Sequence, residues 1–202
     1  MTLIIGALGS MGKRYQAILK HLNEPYGCYD PAYHAGFQDV KELEKYDRFI
    51  VASPTDTHKY WVKVLDDHKK PILCEKPLST KKQDIDFILS CQSPLSMMAQ
   101  YEYFTDPYFN TGASWYNYYN HGKDGLVWDC FQIIALAKEK FDLSEDSCVW
   151  SCGINGKEID LRKMDVAYLW AVKNFLAGRY LSKEKLSMWH EKVLEVSKKW
   201  ST

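Results

Sequence analysis

The sequence predicts an α/β protein with a Rossmann-type, doubly wound parallel sheet and a small, mostly helical α+β second domain. The first observation is a series of short apolar runs without alternation, which is typical of strands buried on both faces. The second is that amphipathic segments with helical spacing separate these runs through short connections, as in βαβ units. The third is that this pattern ends near residue 104. We therefore assign residues 1–104 to the Rossmann domain and residues 105–202 to a reduced substrate or oligomerisation domain.

The elements of the first domain follow in order. The run TLIIG predicts a first strand, a helix follows, and a second strand ends at Asp30. A third strand stops before Pro54, and the next helix is expected to use Thr55 or Asp56 as its N-cap. The run KKPILCEKP predicts a fourth strand that is closed by Pro77.

A capping box of Thr80 and Gln83 is expected to open the third helix, and SPLSMMAQYEY is a candidate fifth strand. Residues 103–125 are rich in aromatics, Asn and Gly and indicate an irregular link, after which LVWDCFQIIALAKEKF predicts a helix. Asn155-Gly156 is a hairpin turn signal between two short strands. Two helices end the chain; the first stops at Gly178 and the second begins near Ser182.

The composition excludes several function classes. With 26 basic and 26 acidic residues the formal net charge is zero, so no basic field is present to attract nucleic acid. No apolar run approaches the roughly 20 residues that span a bilayer, and the N-terminus lacks the pattern of a signal peptide. The six cysteines have no metal-ligand spacing, which favours free thiols in a reducing compartment. We expect a cytoplasmic protein without a metal site.

The stretch GALGSMG, residues 6–12, follows the first strand and precedes the first helix. A pyrophosphate binds at a helix N-terminus where the chain can approach it closely, and Gly9 stands where that approach is needed. Gly12 stands where the helix must pack closely, and Gly6 can make the turn although it lies one place before the usual first glycine. The other predicted contacts in this loop are Leu8, Ser10 and Met11.

Asp30 lies at the end of the second strand, 24 residues after Gly6. A carboxylate there can accept hydrogen bonds from both ribose hydroxyls and repels a 2′-phosphate. The sequence therefore predicts NAD(H) as the cofactor in preference to NADP(H). The alternative for the loop alone is a glycine turn that binds no ligand.

Two further motifs, VASPTDTH and LCEKPLS, appear in the same order and spacing as in one known family. Together with GSMGKRY they resemble the glucose–fructose oxidoreductase/inositol dehydrogenase (Gfo/Idh/MocA) family over residues 1–104. The resemblance implies cofactor contacts at the matching positions, which are Ser53, Pro54, Thr55, His58, Glu75, Lys76 and Pro77.

The resemblance also implies that Lys76 lies beside the nicotinamide and the reacting carbon. A cation near an alcohol oxygen stabilises the negative charge that develops as its proton is removed. Pro77 is expected to follow a cis peptide bond that aims Lys76 into the cleft. His58 has two interpretations, a catalytic group or a helix-start residue with a structural hydrogen bond.

The second domain departs from the family pattern. The helix around residue 129 resembles the family's D-x-x-x-H helix, with Asp129 at the aspartate and Ile133 at the histidine. Ile133 cannot transfer a proton, Gln132 can only form hydrogen bonds, and His121 is a possible substitute. Most of the family's large antiparallel sheet is expected to be missing, which predicts a compact member whose site is either more open or completed by another subunit. The resemblance also implies a homo-oligomer. The aromatic residues at 115–119 and Trp128 either wall the site or fill the core of a small domain.

The function predicted from these motifs is an NAD(H)-dependent oxidoreductase that acts on CH–OH groups of a sugar, cyclitol or related alcohol or carbonyl compound. Lys76 is the central catalyst, and Asp129 and Gln132 assist it. The main alternative is an NAD(H)-binding sensor or accessory protein that has lost catalysis. A lesser alternative is a reductase of a larger planar substrate such as a bilin. The loop sequence G-A-x-G-x-M-G also resembles that of dihydrodipicolinate reductases, but their His/Lys-rich stretch is not visible.

Overall fold

A computed structural model describes residues 1–31, 40–99, 115–117, 131–136, 143–144, 151–154, 157–160 and 165–200. The chain forms two compact units. The first comprises Met1–Met98 with Phe175–Leu186, and the second comprises Ala99–Asn174 with Ser187–Thr202. The predicted boundary between residues 104 and 105 lies outside the described residues.

The first unit is built on a five-stranded parallel sheet with the order β2-β1-β3-β4-β5. The strands are β1 (Thr2–Ile5), β2 (Tyr26–Tyr29), β3 (Arg48–Val51), β4 (Ile72–Cys74) and β5 (Leu95–Met97). Each neighbouring pair is in regular register, with Ile5 opposite both Tyr29 and Val51. This topology confirms the predicted Rossmann-type sheet.

The central strands supply the core of this unit. Ile4, Ile5, Phe49, Ile50 and Val51 are completely buried. Removing one such side chain from water stabilises the fold by about 2 kcal/mol. Strands covered on both faces need apolar residues at every position, which is why these runs show no alternation.

Helices connect the strands of the first sheet. They are α1 (Ser10–His21), α2 (His58–Asp66) and α3 (Lys82–Ser90), with 3-10 turns at Val40–Leu43 and Thr55–Thr57. Each helix turns one apolar stripe inward, for example Tyr15 and Leu19 on α1. The helical periodicity in the sequence is therefore confirmed.

Both predicted N-caps are wrong. Thr55 and Asp56 lie in the 3-10 turn, and Thr57 occupies the N-cap position of α2 without a side-chain hydrogen bond to the helix. The third helix begins after Lys81, which stands at the N-cap position and makes no side-chain cap hydrogen bond. Thr80 therefore lies outside the helix. The hydroxyl of Ser79 instead accepts a hydrogen bond from the Lys81 N–H at 3.2 Å. Local hydroxyl-to-backbone bonds of this kind compete with the capping box.

The second unit contains a four-stranded sheet with the order β7-β6-β8-β9. Its strands are β6 (Trp115–Asn117), β7 (Leu143–Ser144), β8 (Ser151–Ile154) and β9 (Lys157–Asp160). Strands β8 and β9 are antiparallel with Ile154 opposite Lys157, which confirms the predicted hairpin pairing. Its turn, residues 155–156, lies outside the described residues.

The prediction of an irregular link is wrong at residues 115–117, because β6 pairs there with both β7 and β8. Aromatic residues favour strands. A strand of three residues, however, is too short to show the alternation by which a strand is recognised in a sequence.

Three helices complete the described chain: α4 (Phe131–Leu136), α5 (Asp165–Leu176) and α6 (Lys183–Trp200). Helix α5 is followed by Gly178 in a left-handed conformation (φ +73°), as predicted. The Ser182 hydroxyl accepts a hydrogen bond from the Lys185 N–H at 3.2 Å, which confirms the predicted start of the last helix. None of the described helices is both long and apolar enough to cross a bilayer.

Candidate active site

The segments that follow the first four strands meet at one edge of the sheet, because all its strands run parallel. Main-chain hydrogen bonds of 2.9 Å continue beyond the ends of the strands. The N–H of Gly6 donates to the Tyr29 carbonyl, that of Ala52 to the Ile5 carbonyl and that of Glu75 to the Val51 carbonyl. We call this edge the carboxyl edge. It brings together the glycine loop (residues 6–12), Asp30, the segment Ser53–Thr55 and the turn at Lys76.

Two of the three glycines in the glycine loop are required by the chain itself. Gly6 has φ +78°, and a Cβ there would lie 2.7 Å from the carbonyl oxygen of Ala52. A Cβ on Gly12 would lie 2.6 Å from the Cα of Ala7 and still closer to the carbonyl oxygen of Gly6. Gly6 therefore makes the turn, and Gly12 lets the start of α1 pack against it.

Gly9 is different, because nothing in the described chain requires a glycine there. Its φ of −66° and ψ of 167° suit any residue, and its nearest neighbour for a Cβ is the carbonyl oxygen of Gly6 at an ordinary 3.5 Å. The space beside Gly9 lies at the N-terminus of α1, where the first N–H groups of a helix have no partner within the helix. A pyrophosphate fits this position, since it needs both close approach and free donors.

The carboxylate of Asp30 holds the glycine loop. Its Oδ2 accepts a hydrogen bond of 2.9 Å from the Leu8 N–H. The residue is largely buried, although it follows β2, which is an outermost strand of the sheet. A carboxylate accepts several hydrogen bonds, so this contact is compatible with ribose hydroxyls as further donors. The side chain of Leu8 itself is 44% exposed, a large fraction for an apolar residue in a loop.

The segment after β3 is fixed by its own polar groups. The Thr57 hydroxyl lies 2.7 Å from both the Ser53 Oγ and the Pro54 carbonyl oxygen, either of which can accept its hydrogen. Ser53 is buried, and Pro54 directly precedes the 3-10 turn that begins at Thr55. The three residues predicted to contact the cofactor therefore lie together at the carboxyl edge.

His58 is buried between two segments of this edge. Its Nε2 lies 2.9 Å from the Ser53 carbonyl oxygen, and its Nδ1 lies 3.0 Å from that of Pro77 and 3.3 Å from that of Leu78. Burial lowers the pKa of His58, and hydrogen bonds to the three carbonyl oxygens oppose the shift in part. These contacts support the structural interpretation of His58, as a group that ties the Ser53 segment to the turn at Lys76.

Glu75 is also buried, at the start of the same turn. Its Oε1 accepts a hydrogen bond of 2.5 Å from the Tyr15 hydroxyl, and its Oε2 accepts one of 3.0 Å from the Lys76 N–H. Burial raises the pKa of Glu75, while the bond from Tyr15, the charge of Lys76 and the charge of Arg14 oppose that shift. The sequence carries one signal for this contact, which is that the hydroxyl of a buried tyrosine needs a partner.

Lys76 follows β4 after one residue and is half-buried. The Lys76–Pro77 peptide bond is cis, as predicted. Two side chains thus hold the main chain of this turn. The Glu75 carboxylate accepts the Lys76 N–H, and the His58 ring contacts the Pro77 carbonyl oxygen.

The structure does not describe the side chains of the predicted residues of the second unit. Asp129, His121 and Trp128 lie outside the described residues. Gln132 and Ile133 lie on α4, but their side chains also fall outside the described part. Their roles stay predictions.

One pocket of about 310 Å³ is formed by residues of the 3-10 turn and of the segment leading into α3. Its lining residues are Thr55, Asp56, Ser79, Thr80, Lys81 and Asp84. Among the described residues no group of three or more His, Cys, Asp or Glu side chains could hold a metal ion.

Comparison with protein families identifies residues 3–102 as matching the oxidoreductase family with an NAD-binding Rossmann fold, Gfo/Idh/MocA. No curated protein matches the chain in sequence. The match covers all four segments of the carboxyl edge.

Solved structures show the same fold. The WlbA dehydrogenase of Thermus thermophilus, in complex with NAD and UDP-GlcNAcA, is 14% identical with a TM-score of 0.73, and the match covers 97% of this chain and 94% of that one. A Gfo/Idh/MocA family oxidoreductase of Vibrio cholerae is 11% identical with a TM-score of 0.72, over 99% and 97% of the two chains. A myo-inositol dehydrogenase of Corynebacterium glutamicum is 11% identical with a TM-score of 0.68, over 97% and 95%.

At these identities the structures establish the likeness in fold, and the family match establishes the cofactor domain. The space beside Gly9 and the carboxylate after β2 fit that cofactor. The chain therefore belongs to the Gfo/Idh/MocA oxidoreductase family, with residues 3–102 as its NAD-binding Rossmann domain.

Proposed function

We propose that this protein transfers a hydride between NAD(H) and the CH–OH or carbonyl group of a sugar, cyclitol or related compound, with Lys76 as the catalytic residue. The observation that carries the proposal is the position of Lys76 at the carboxyl edge. It follows β4 on the edge that also holds the glycine loop and Asp30, and Glu75 bonds its main chain there.

The cofactor-binding residues divide the work. The N–H groups at the start of α1 and the space beside Gly9 would hold the pyrophosphate. Asp30 would accept hydrogen bonds from the ribose hydroxyls, and its negative charge disfavours the 2′-phosphate of NADP(H). The segment from Ser53 to Thr55 and the turn at residues 75–77 would complete the cofactor contacts. NAD, when bound, supplies the hydride acceptor, and NADH the hydride donor.

Lys76 would accept or donate the proton of the substrate oxygen. During oxidation of an alcohol, its uncharged amine can accept the hydroxyl proton at Nζ; during reduction of a carbonyl, its ammonium can donate that proton to the oxygen. The positive charge also stabilises negative charge that develops on the substrate oxygen. We propose that Asp129 relays the proton from Lys76 and that Gln132 contributes a hydrogen bond.

The substrate class is proposed on two grounds. Hydride transfer with a lysine as proton carrier suits a secondary alcohol or its ketone. The similar structures include a dehydrogenase in complex with NAD and UDP-GlcNAcA and a myo-inositol dehydrogenase, which are a nucleotide-sugar complex and a cyclitol enzyme. Sugars and cyclitols are therefore the first compounds to test.

The decisive experiment compares wild type with Lys76→Ala in a panel of sugars, cyclitols and carbonyl compounds, followed by NADH absorbance. We expect Lys76→Ala to lower kcat at least about a hundredfold while NADH still binds. Lys82→Ala is the matched control, since this lysine is exposed and pairs with Asp86 at 2.8 Å on α3. Turnover that survives in Lys76→Ala contradicts the assignment.

A second candidate function is a non-catalytic NAD(H) sensor or accessory protein. It is favoured by Ile133, which stands where the resemblance places the family's proton-transferring histidine. NADH binding measured by calorimetry, together with no turnover across the whole panel, would support this function in place of the enzyme.

A cytoplasmic location and a homo-oligomer are further proposals. Cys28, Cys74 and Cys91 are free thiols, which supports a reducing compartment. The oligomer is supported by the short second domain predicted from the sequence, and sedimentation of the purified chain tests it.

A further inference from the structure

We propose that Tyr15 and Glu75 are positioning residues that couple cofactor binding at the glycine loop to the main-chain position of Lys76. We call them the Tyr15–Glu75 pair. The inference rests on NAD binding at the glycine loop and on the proposed role of Lys76.

The pair connects two elements that are 60 residues apart in the sequence. Tyr15 lies on α1, whose first turn is part of the glycine loop, and it is completely buried. Its hydroxyl donates to Glu75 Oε1 at 2.5 Å, and Glu75 Oε2 accepts the Lys76 N–H at 3.0 Å. One carboxylate therefore holds the cofactor-binding helix with one oxygen and the Lys76 main chain with the other.

A carboxylate is an expensive group to bury. Apolar side chains of similar size fill an interior at a lower cost in free energy than a buried charge does. What Glu75 provides, and an apolar side chain cannot, is a directional acceptor for both the hydroxyl and the N–H group. The geometry thus favours an orienting role over simple filling of the core.

Ligand binding can reach this pair through α1. Tyr15 is five residues from the start of the helix at Ser10, which corresponds to about 7.5 Å along the axis. A pyrophosphate that fixes the first turn of α1 also limits the movement of Tyr15, because a helix transmits displacement along its axis as a rigid element. Glu75, and with it the Lys76 N–H, is then held more firmly.

The groups around Glu75 determine the direction of a second effect, which is a change in the pKa of Glu75. The groups that face it are Tyr15 and Arg14 on α1, Lys76 in the turn and the Cys74 thiol on β4. Removal of the Tyr15 hydroxyl takes away a hydrogen bond to the charged form and so raises the pKa of Glu75. A change that only loosened the core would have no such specific signature.

The experiment follows the Lys76 amide by NMR in the full chain, with NADH as the ligand. In wild type we expect NADH to slow hydrogen exchange of this amide by about tenfold or more. In Tyr15→Phe we expect the slowing to fall below about twofold while the Kd for NADH changes by less than about threefold. The pH at which the Lys76 amide shift titrates should also rise in this variant.

Tyr46→Phe is the matched control. Tyr46 is 8% exposed and precedes β3, so it lies at the opposite, amino edge of the sheet. We expect this variant to retain the wild-type slowing and the wild-type titration. If Tyr15→Phe does not fold, Glu75→Met keeps a similar side-chain volume and accepts neither of the two hydrogen bonds, so it serves in its place.

The inference is overturned if Tyr15→Phe, or Glu75→Met in its place, keeps the full slowing by NADH, or if Tyr46→Phe loses it equally. These readouts need no turnover. If the coupling is present but no compound in the panel is turned over, the proposed function fails and the inference stands. If turnover depends on Lys76 but the coupling is absent, only the inference fails.

Discussion

The glycine loop after β1 and the lysine turn after β4 lie at the same edge of one parallel sheet and are built in opposite ways. The glycine loop is shaped by the absence of side chains, since Gly6 and Gly12 have no room for a Cβ. The lysine turn is shaped by buried side chains, since Glu75 and His58 bond to its main chain from both sides. Steric requirements leave a visible motif in a sequence, whereas buried polar contacts between distant residues do not.

The comparison is tested most severely by Gly12→Ala. The added methyl group would overlap the carbonyl of Gly6 and the backbone of Ala7, neither of which is a flexible side chain. We expect a loss of about 3 kcal/mol or more in the free energy of unfolding, measured by urea denaturation. A stable, wild-type-like variant would show that the loop and α1 are not closely packed.

The next effect concerns binding rather than folding and is tested by Gly9→Ala. Its backbone angles suit alanine and the added Cβ meets only ordinary contacts, so stability should change by less than about 1 kcal/mol. The methyl group would occupy the space that we propose for the pyrophosphate, so NADH affinity should fall by about tenfold or more in a fluorescence titration. Unchanged affinity would mean that the pyrophosphate lies elsewhere.

The smallest effect is expected at the lysine turn, where His58 should make the free energy of unfolding depend on pH. Burial lowers the pKa of His58, so the unfolded chain binds its proton at a higher pH than the folded chain does. The free energy of unfolding should therefore be undiminished above about pH 6.5, the value for a free histidine, and fall as the pH drops below it. Urea denaturation of wild type and His58→Gln at pH values from about 5 to about 8, on both sides of that value, measures how the free energy of unfolding depends on pH in each.

The His58→Gln variant should lose this part of the pH dependence. His21→Gln, a change at an exposed histidine of α1, is its control and should keep the wild-type profile. An equal response of the two variants would contradict the role assigned to buried His58.

Much of the first unit could be predicted from the sequence because its rules are local. Buried strands require continuous apolar runs, and the φ of Gly6 requires a glycine. The exact helix starts could not be predicted, since Ser79 bonds to Lys81 and displaces the expected capping box. The partner of Tyr15 could not be predicted either, because a bond across 60 residues depends on the folded chain.

The second unit was harder to predict. The hairpin at residues 154–157 was found from its Asn-Gly turn, a strong local signal. Strand β6 gave no such signal, because a three-residue strand becomes one only through its partners β7 and β8. The candidate residues Asp129 and Gln132 were suggested by resemblance alone, and their contacts stay predictions.

The segment Phe175–Leu186, which contains the end of α5, the connection to α6 and the start of α6, belongs to the first unit, although it is synthesised about eighty residues after β5. The Arg48 side chain donates to the Leu176 carbonyl at 3.2 Å, the Leu181 N–H donates to Ser96 Oγ at 3.4 Å, and Lys183 donates to the Cys91 carbonyl. The nucleotide-binding unit is therefore discontinuous along the chain. On the ribosome it can be completed only after residue 186 has emerged, so its maturation must wait for the synthesis of residues 99–174 of the second unit.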